Sequence, residues 1–203
     1  MNNINKNYNI LLLISCLFLI RVIIAYINTN FFILPGFQDD ARGNHITASV
    51  YLLESELFNN KTKEVHTYNF FYFNLIYYLY KFSFVSWFWS SFISSLFWLF
   101  SALIFLYLFN LIETNKNSIL LFFIFYGLLP SSIIFSSSTF RESIEILFIS
   151  LIILTLIVGY KKNYIYLLIT PFILIIFSMF HSVNLFSSIL LILTLFFIKF
   201  SKY

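Results

Sequence analysis

Apolar side chains fill long stretches of this chain, and polar residues interrupt them mainly in short turns. Runs near 20 residues with almost no charge are long enough to cross a hydrocarbon core of about 30 Å as helices. Strands of an outer-membrane barrel would alternate apolar and polar positions, whereas these runs are continuous. The pattern predicts an all-α, polytopic transmembrane bundle of about six spans, at residues 8–28, 85–112, 118–135, 140–160, 164–180 and 183–198.

The stretch between the first two predicted spans, residues 34–84, has a different pattern. Four apolar residues recur there at helical spacing and form a narrow stripe: Ile46, Val50, Leu53 and Leu57. Such a stripe is typical of a helix that lies on the membrane surface. Residues 67–84 are rich in aromatic side chains but broken by polar ones, and they predict a second interfacial or re-entrant helix. Because we find no repeat and no linker, we treat residues 1–203 as a single integral membrane domain.

Composition supports the membrane assignment. Of the 203 residues, 61% are hydrophobic and only 10% are charged, and the mean hydropathy is +0.90. Soluble domains are about 45–50% apolar and about 25% charged. The net charge of +4 does not point to nucleic acid, because the lysines are spread over the ends of loops. With Cys16 as the one cysteine, no disulfide can form within the chain.

The distribution of lysines predicts the orientation. If the N-terminus is cytoplasmic and the spans alternate, the cytoplasmic ends carry Lys6, Lys116, Lys161, Lys162, Lys199 and Lys202. This satisfies the positive-inside bias, whereas the opposite orientation violates it. We therefore expect both termini in the cytoplasm and a location in the bacterial inner membrane, with an organelle membrane as the alternative. Three polar segments then share the outer face: residues 39–45, 136–145 and 181–184.

The first of these segments contains a concentration of reactive side chains. Asp39, Arg42 and His45 are spaced three apart, so on a helix they share one face. A carboxylate there could act as a general base toward a hydroxyl, and arginine with histidine suits the binding of a phosphate. The alternative interpretation is a helix cap followed by a solvated loop.

The other polar positions have both structural and functional interpretations. Residues 139–142 have the form of a capping box, in which Thr139 caps the helix and Glu142 reaches back. That box leaves Arg141 free to face the outer side or to pair with Glu145. Arg21 lies inside the first span, at a cost of about 2.5–3.5 kcal/mol unless it snorkels or faces a polar cavity, and we favour snorkelling.

Three stretches of the sequence resemble the GT-C superfamily of polytopic membrane glycosyltransferases. The first is the loop Gln38-Asp39-Asp40-Ala41-Arg42, which matches the acidic first outer loop of that superfamily. The second is residues 129–142, LPSSIIFSSSTFRE, similar to a run found in bacterial members. The third is Phe180-His181-Ser182, similar to a Phe-His-Gly turn.

The resemblance implies a polyprenyl-phosphate sugar donor, a lipid setting and a base in the first loop. On this sequence it implies catalytic roles for Asp39 and Asp40. The predicted substrate-binding residues are Arg42, His45, Arg141, Glu142, His181 and Asn184. No cofactor is specified, although a divalent cation is compatible with the acidic loop. The chain is shorter than the usual members of the superfamily, which suggests a minimal relative, one that works with a membrane protein partner, or an inactive one.

Two other functions remain open from the sequence. A non-catalytic subunit of a membrane complex would use the same polar turns as caps and partner contacts. A small transporter or flippase accessory is less favoured, since Arg21 is the one ionisable residue predicted within a span.

Overall fold

The computed structural model describes residues 2–31, 33, 40–57, 70–139, 141–161 and 165–180. Over these ranges the chain is helical and has no strand, which confirms the predicted all-α class. The helices are α1 (Asn2–Asn30), α2 (Asp40–Leu57), α3 (Phe70–Phe82), α4 (Trp87–Ile112), α5 (Lys116–Leu128), α6 (Pro130–Ser136), α7 (Glu142–Lys161) and α8 (Ile165–Ser178).

Three of the helices are long and apolar enough to cross a membrane: Tyr8–Asn30 within α1, the whole of α4 and the whole of α7. A fourth crossing is formed if α5 and α6, which meet at an angle of 63°, act as one broken span. The predicted span 118–135 is therefore divided, because Pro130 has no N–H to continue α5 and instead begins α6. Helix α8 has 14 residues, and the sixth predicted span lies outside the described ranges. These helices are compatible with an integral membrane protein.

The bundle buries small and polar side chains and exposes large apolar ones. One face of α4 is buried and carries Ser90, Ser91, Ser94, Ser95 and Ser101. Large apolar side chains on α1, α4 and α8 are exposed, among them Ile23 at 57%, Phe100 at 50% and Phe172 at 69%. Small residues between helices allow the backbones to approach closely, and lipid can cover the apolar exterior.

One core cluster joins α1, α4 and α5. Its buried members are Ile10, Ile14, Leu17, Trp98, Ala102, Leu106, Ile119 and Phe123. At the other end of α1, Tyr26 meets Phe88 near the start of α4, with ring centroids 5.6 Å apart. Helices α1 and α4 therefore run antiparallel.

Helices α4 and α7 run parallel, because both pairs of ends are in contact. Lys161 Nζ donates to the carbonyl of Leu111 at 3.1 Å, which joins their C-terminal ends. Ser90 and Thr139 hydroxyls lie 2.9 Å apart and join their N-terminal ends. The alternation predicted for these spans is thus consistent with their packing.

Helices α2 and α3 pack on each other at the end of the bundle where α4 and α7 begin. We call their shared core the α2–α3 cluster; it contains Ala48, Leu52, Tyr72, Phe73, Ile76, Tyr80, Ile144 and Phe180. Members of the predicted apolar stripe on α2 point away from this core. Ile46 and Val50 are each 45% exposed, and Leu53 is 56% exposed.

Candidate functional site

Helix α2 contacts the turn between α6 and α7. Asn44 Nδ2 donates to the carbonyl oxygen of Thr139 at 3.3 Å, across a sequence separation of 95 residues. The first-loop segment and the turn before α7 were predicted to share one face, and the structure brings described parts of both into direct contact.

A chain of side-chain hydrogen bonds runs from α2 into the bundle, and we call it the polar junction. His45 Nδ1 and Tyr80 Oη are 2.8 Å apart. Tyr80 Oη donates to Ser90 Oγ at 2.9 Å. Ser90 Oγ is 2.9 Å from Thr139 Oγ1, which is also 3.3 Å from Ser91 Oγ. The junction therefore links α2, α3, α4 and the α6–α7 turn.

Aromatic side chains enclose the imidazole of His45. Its ring stacks on Trp87 with centroids 5.9 Å apart and an interplanar angle of 10°. Tyr80 meets it edge-on at 5.7 Å. Burial lowers the pKa of His45 below its usual 6.5, and burial raises the pKa of Tyr80 to about 12. Both side chains are therefore neutral near pH 7.

Beside the junction, the start of α7 carries a charged group. Arg141 Nε lies 3.6 Å from Glu142 Oε1 and 3.8 Å from Glu145 Oε1. Arg141 thus pairs with Glu145, which is one of the two alternatives that the sequence left open. The side chains of Arg141 and Glu142 are 22% and 32% exposed, so this group is partly open to its surroundings.

The predicted capping box at residues 139–142 is wrong. Helix α7 begins at Glu142, and the carbonyl of Arg141 accepts its first backbone bonds, from Ile144 and Glu145. Thr139 is fully buried, and its hydroxyl bonds instead to Ser90 and Ser91 of α4. Within the bundle, a hydroxyl pair between helices takes the place of the local cap.

The favoured interpretation of Arg21 as a snorkelling residue is also wrong. The side chain is 0% exposed and lies between α1, α4 and the α5–α6 break. Its four hydrogen bonds go to Ser136 Oγ at 2.8 Å, the Leu17 carbonyl at 3.0 Å, the Gly127 carbonyl at 2.8 Å and Ser132 Oγ at 3.1 Å. The guanidinium carbon is 3.6 Å from the centroid of Trp98.

Arg21 satisfies polar groups that the helix break exposes. The last carbonyls of a helix have no intrahelical partner, and Gly127 lies one residue before the end of α5. Gly127 also permits the close approach of α1, since a Cβ there would collide with the side chain of Leu17. We call this group of Arg21, Trp98, Gly127, Ser132 and Ser136 the arginine junction.

The remaining predicted site residues are only partly described. Asp39, His181 and Asn184 lie outside the described ranges, and Asp40 is the first residue of α2. Arg42 is exposed and lies one helical turn before His45. Phe180 packs in the α2–α3 cluster and meets Phe148 with centroids 5.4 Å apart, so the end of α8 reaches the same region.

A metal site is not formed by the side chains that the structure describes. Among them, no group of three His, Cys, Asp or Glu residues could hold an ion. A divalent cation would need ligands from outside these ranges, such as Asp39.

Sequence reasoning missed Tyr80, Ser90 and Thr139 as members of the site. A signal for Ser90 was present, since serines recur at 90, 91, 94 and 95 near the start of an otherwise apolar helix. In a membrane helix, such a polar face marks a helix contact or a polar cavity.

Comparisons of this chain with protein-family models, with curated proteins and with solved structures found no match.

Proposed function

We propose that the protein is a GT-C-like membrane glycosyltransferase, or a minimal relative, that transfers a sugar from a polyprenyl-phosphate donor. The observation that carries the proposal is the contact of α2 with the α6–α7 turn, through Asn44 and Thr139. This contact supports the proposal because it joins α2, which begins at Asp40, to the turn that precedes Arg141.

The proposed membrane arrangement has six spans, with α2 and α3 at the outer interface and both termini in the cytoplasm. The exposed apolar stripe of Ile46, Val50 and Leu53 supports an interfacial α2, because lipid would cover it. At the opposite end of the bundle lie Lys116 and Lys161, as the positive-inside bias requires for a cytoplasmic face.

The proposed reaction is an inverting displacement at the anomeric carbon. The oxygen of an acceptor hydroxyl bonds to that carbon, the bond from carbon to the phosphate oxygen breaks, and the phosphate leaves with the electron pair. Asp39 or Asp40 deprotonates or orients the acceptor hydroxyl. Arg42, Arg141 and His181 offset the negative charge on the leaving phosphate.

A specific observation also favours the alternative of a non-catalytic subunit of a membrane complex. Arg141 already has two carboxylates within 4 Å, and Thr139 is used to hold α4. In that case, the polar residues at this end stabilise the fold and α2 presents a docking face to a partner.

The experiment that tests the transferase proposal is mass spectrometry of the lipid-linked and surface glycans of the host. A deletion strain is compared with strains rescued by wild type and by Asp39→Asn/Asp40→Asn at matched abundance in the membrane. We expect the deletion to lose one sugar and the double variant to restore less than about 1% of it, since a group that deprotonates or orients the acceptor contributes roughly 10²-fold or more.

Phe100→Ala serves as the matched control, because Phe100 is on the exposed face of α4. It should restore the sugar at the wild-type level. A deletion that changes no glycan, or a double variant that restores the sugar fully, would overturn the proposal and favour the structural subunit.

A further inference from the structure

One ring nitrogen of His45 has a hydrogen-bond partner among the described residues, and the other has none. Nδ1 contacts Tyr80 Oη, whereas no described residue forms a hydrogen bond with Nε2. The side chain is only partly buried, and its two ring neighbours, Trp87 and Tyr80, are on α4 and α3. Nε2 therefore belongs to a ring that Trp87 and Tyr80 hold in place, at the end of the bundle where the polar junction lies.

Counting hydrogens along the polar junction identifies the tautomer of His45. A phenol has one hydrogen, and the geometry directs that of Tyr80 to Ser90 Oγ at 2.9 Å. Ser90 in turn donates to the carbonyl of Trp87 at 3.0 Å or shares a hydrogen with Thr139. With Tyr80 donating to Ser90, the imidazole is the donor in the 2.8 Å contact between Nδ1 and Tyr80. This network assigns the hydrogen of the neutral ring to Nδ1, which leaves a lone pair on Nε2.

We propose that His45 is the proton acceptor of the transfer reaction, with Nε2 as the basic atom. This inference rests on the proposed function and changes the division of roles within it. The hydrogen of the acceptor hydroxyl moves to Nε2 as its oxygen bonds to the sugar carbon, and the phosphate leaves as before. The carboxylates of the first loop then orient the acceptor rather than take its proton.

The junction is suited to this role because it is unchanged by the proton transfer. Nδ1 donates to Tyr80 in the neutral ring and continues to donate in the imidazolium that forms. Tyr80, Ser90 and Thr139 are positioning residues: they hold the tautomer and the ring plane without contacting the substrate. The stack of the ring on Trp87 restricts it further.

Among the described residues, Tyr80 of α3 contacts His45, and α4 presents the uncharged Trp87 and Ser90. Arg42 lies one turn away on α2, and the charged group of Arg141, Glu142 and Glu145 lies beside the polar junction at the start of α7. Because burial lowers the pKa of His45, Nε2 is unprotonated near pH 7. Transfer should lose rate as the pH falls through that pKa, since protonated Nε2 cannot accept a hydrogen.

The first part of the test uses the purified full-length protein in lipid nanodiscs, labelled with ¹⁵N-histidine. NMR spectra recorded against pH, with His45→Asn to assign the signal, report the tautomer and the pKa. We expect the Nδ1–H tautomer and a pKa below 6.5. Tyr80→Phe should allow the Nε2–H tautomer, whereas Tyr78→Phe, at an exposed tyrosine of the same helix, should not. An Nε2–H tautomer in the wild type would overturn the inference.

The second part measures rescue of the glycan that the deletion strain loses. Asparagine at position 45 keeps a donor near the place of Nδ1 but removes the base, so His45→Asn should restore the glycan at least about 10²-fold more slowly. Tyr80→Phe should also be slow, while Tyr78→Phe matches wild type. If the deletion loses a glycan and His45→Asn restores it at the wild-type rate, His45 is not the base although the transferase proposal remains. If the deletion loses none, the proposed function fails and the role of His45 fails with it.

Discussion

Replacing Arg21 with methionine is expected to lower the thermal unfolding midpoint of the protein in mild detergent by roughly 5–15 °C, corresponding to a loss of about 2–4 kcal/mol. The substitution removes all four hydrogen bonds of the Arg21 side chain and the contact of the guanidinium with Trp98. It also leaves the Gly127 carbonyl without its donor.

Whether Arg21→Met stabilises or destabilises the protein depends on two opposing quantities: the contacts that are lost and the cost of burying a charge, which is removed. A hydrogen bond between membrane helices contributes about 0.6–1.7 kcal/mol, and a desolvated cation–π contact contributes about 2 kcal/mol. Against these, removing a charge from a span recovers about 2.5–3.5 kcal/mol. The bonds of the arginine junction outweigh the cost of burying the charge, so the net effect is destabilising.

Two further variants separate this account from simple snorkelling. Lysine at position 21 keeps the charge but has no planar fork to reach Gly127, Ser132 and Ser136 together, so Arg21→Lys should also destabilise. Ile23→Met, on the exposed face of the same helix, should leave the midpoint within about 0.5 kcal/mol of wild type. If Arg21→Lys were neutral and Arg21→Met stabilising, a buried junction at this position would be ruled out.

Arg21 also shows which features of the structure can be predicted from the sequence and which cannot. The apolar runs are sufficient to predict the helical class and the approximate limits of α1, α4 and α7, because each run must satisfy its own backbone polar groups. The partners of Arg21 depend on the approach of α1 to the α5–α6 break, more than 100 positions away in the chain. A local pattern carries no information about that approach. The sequence shows a proline at position 130, but the packing around a proline decides whether it bends a span or ends it.

Some features of the candidate site could likewise be predicted from the sequence, and others could not. Alternation of the spans predicts that the first loop and the α6–α7 turn share one face, and the pairing of Arg141 with Glu145 follows from helical spacing. Thr139 was assigned to a cap because its local pattern fits one, but its hydroxyl bonds to α4. In the sequence, Tyr80 is one of 14 tyrosines, and only its hydrogen bond to Ser90 in the folded protein distinguishes it.

The second large effect is expected at Ala48, which is 0% exposed within the α2–α3 cluster. Phenylalanine at this position cannot fit between α2 and α3, so Ala48→Phe should displace α2 from the bundle. His45 and Asn44, one turn before Ala48 on the same helix, would then lose their contacts with Tyr80 and Thr139. Since a displacement of about 1 Å at a reacting group can cost 10²-fold in rate, glycan rescue should fall by at least that factor.

Hydrogen exchange of the α2 amides measures the displacement without reference to function. In Ala48→Phe these amides should exchange faster, while those of α1 and α4 stay protected, because their core around Trp98 and Phe123 is separate from the α2–α3 cluster. Val50→Phe adds the same side chain on the exposed face of α2 and should change neither exchange nor glycan rescue. Unchanged protection of α2 in Ala48→Phe together with full rescue would mean that docking of this helix does not assemble the site. Faster exchange of the α2 amides together with full glycan rescue would show that the activity does not require the docking of α2. The site would then have to work without the polar junction.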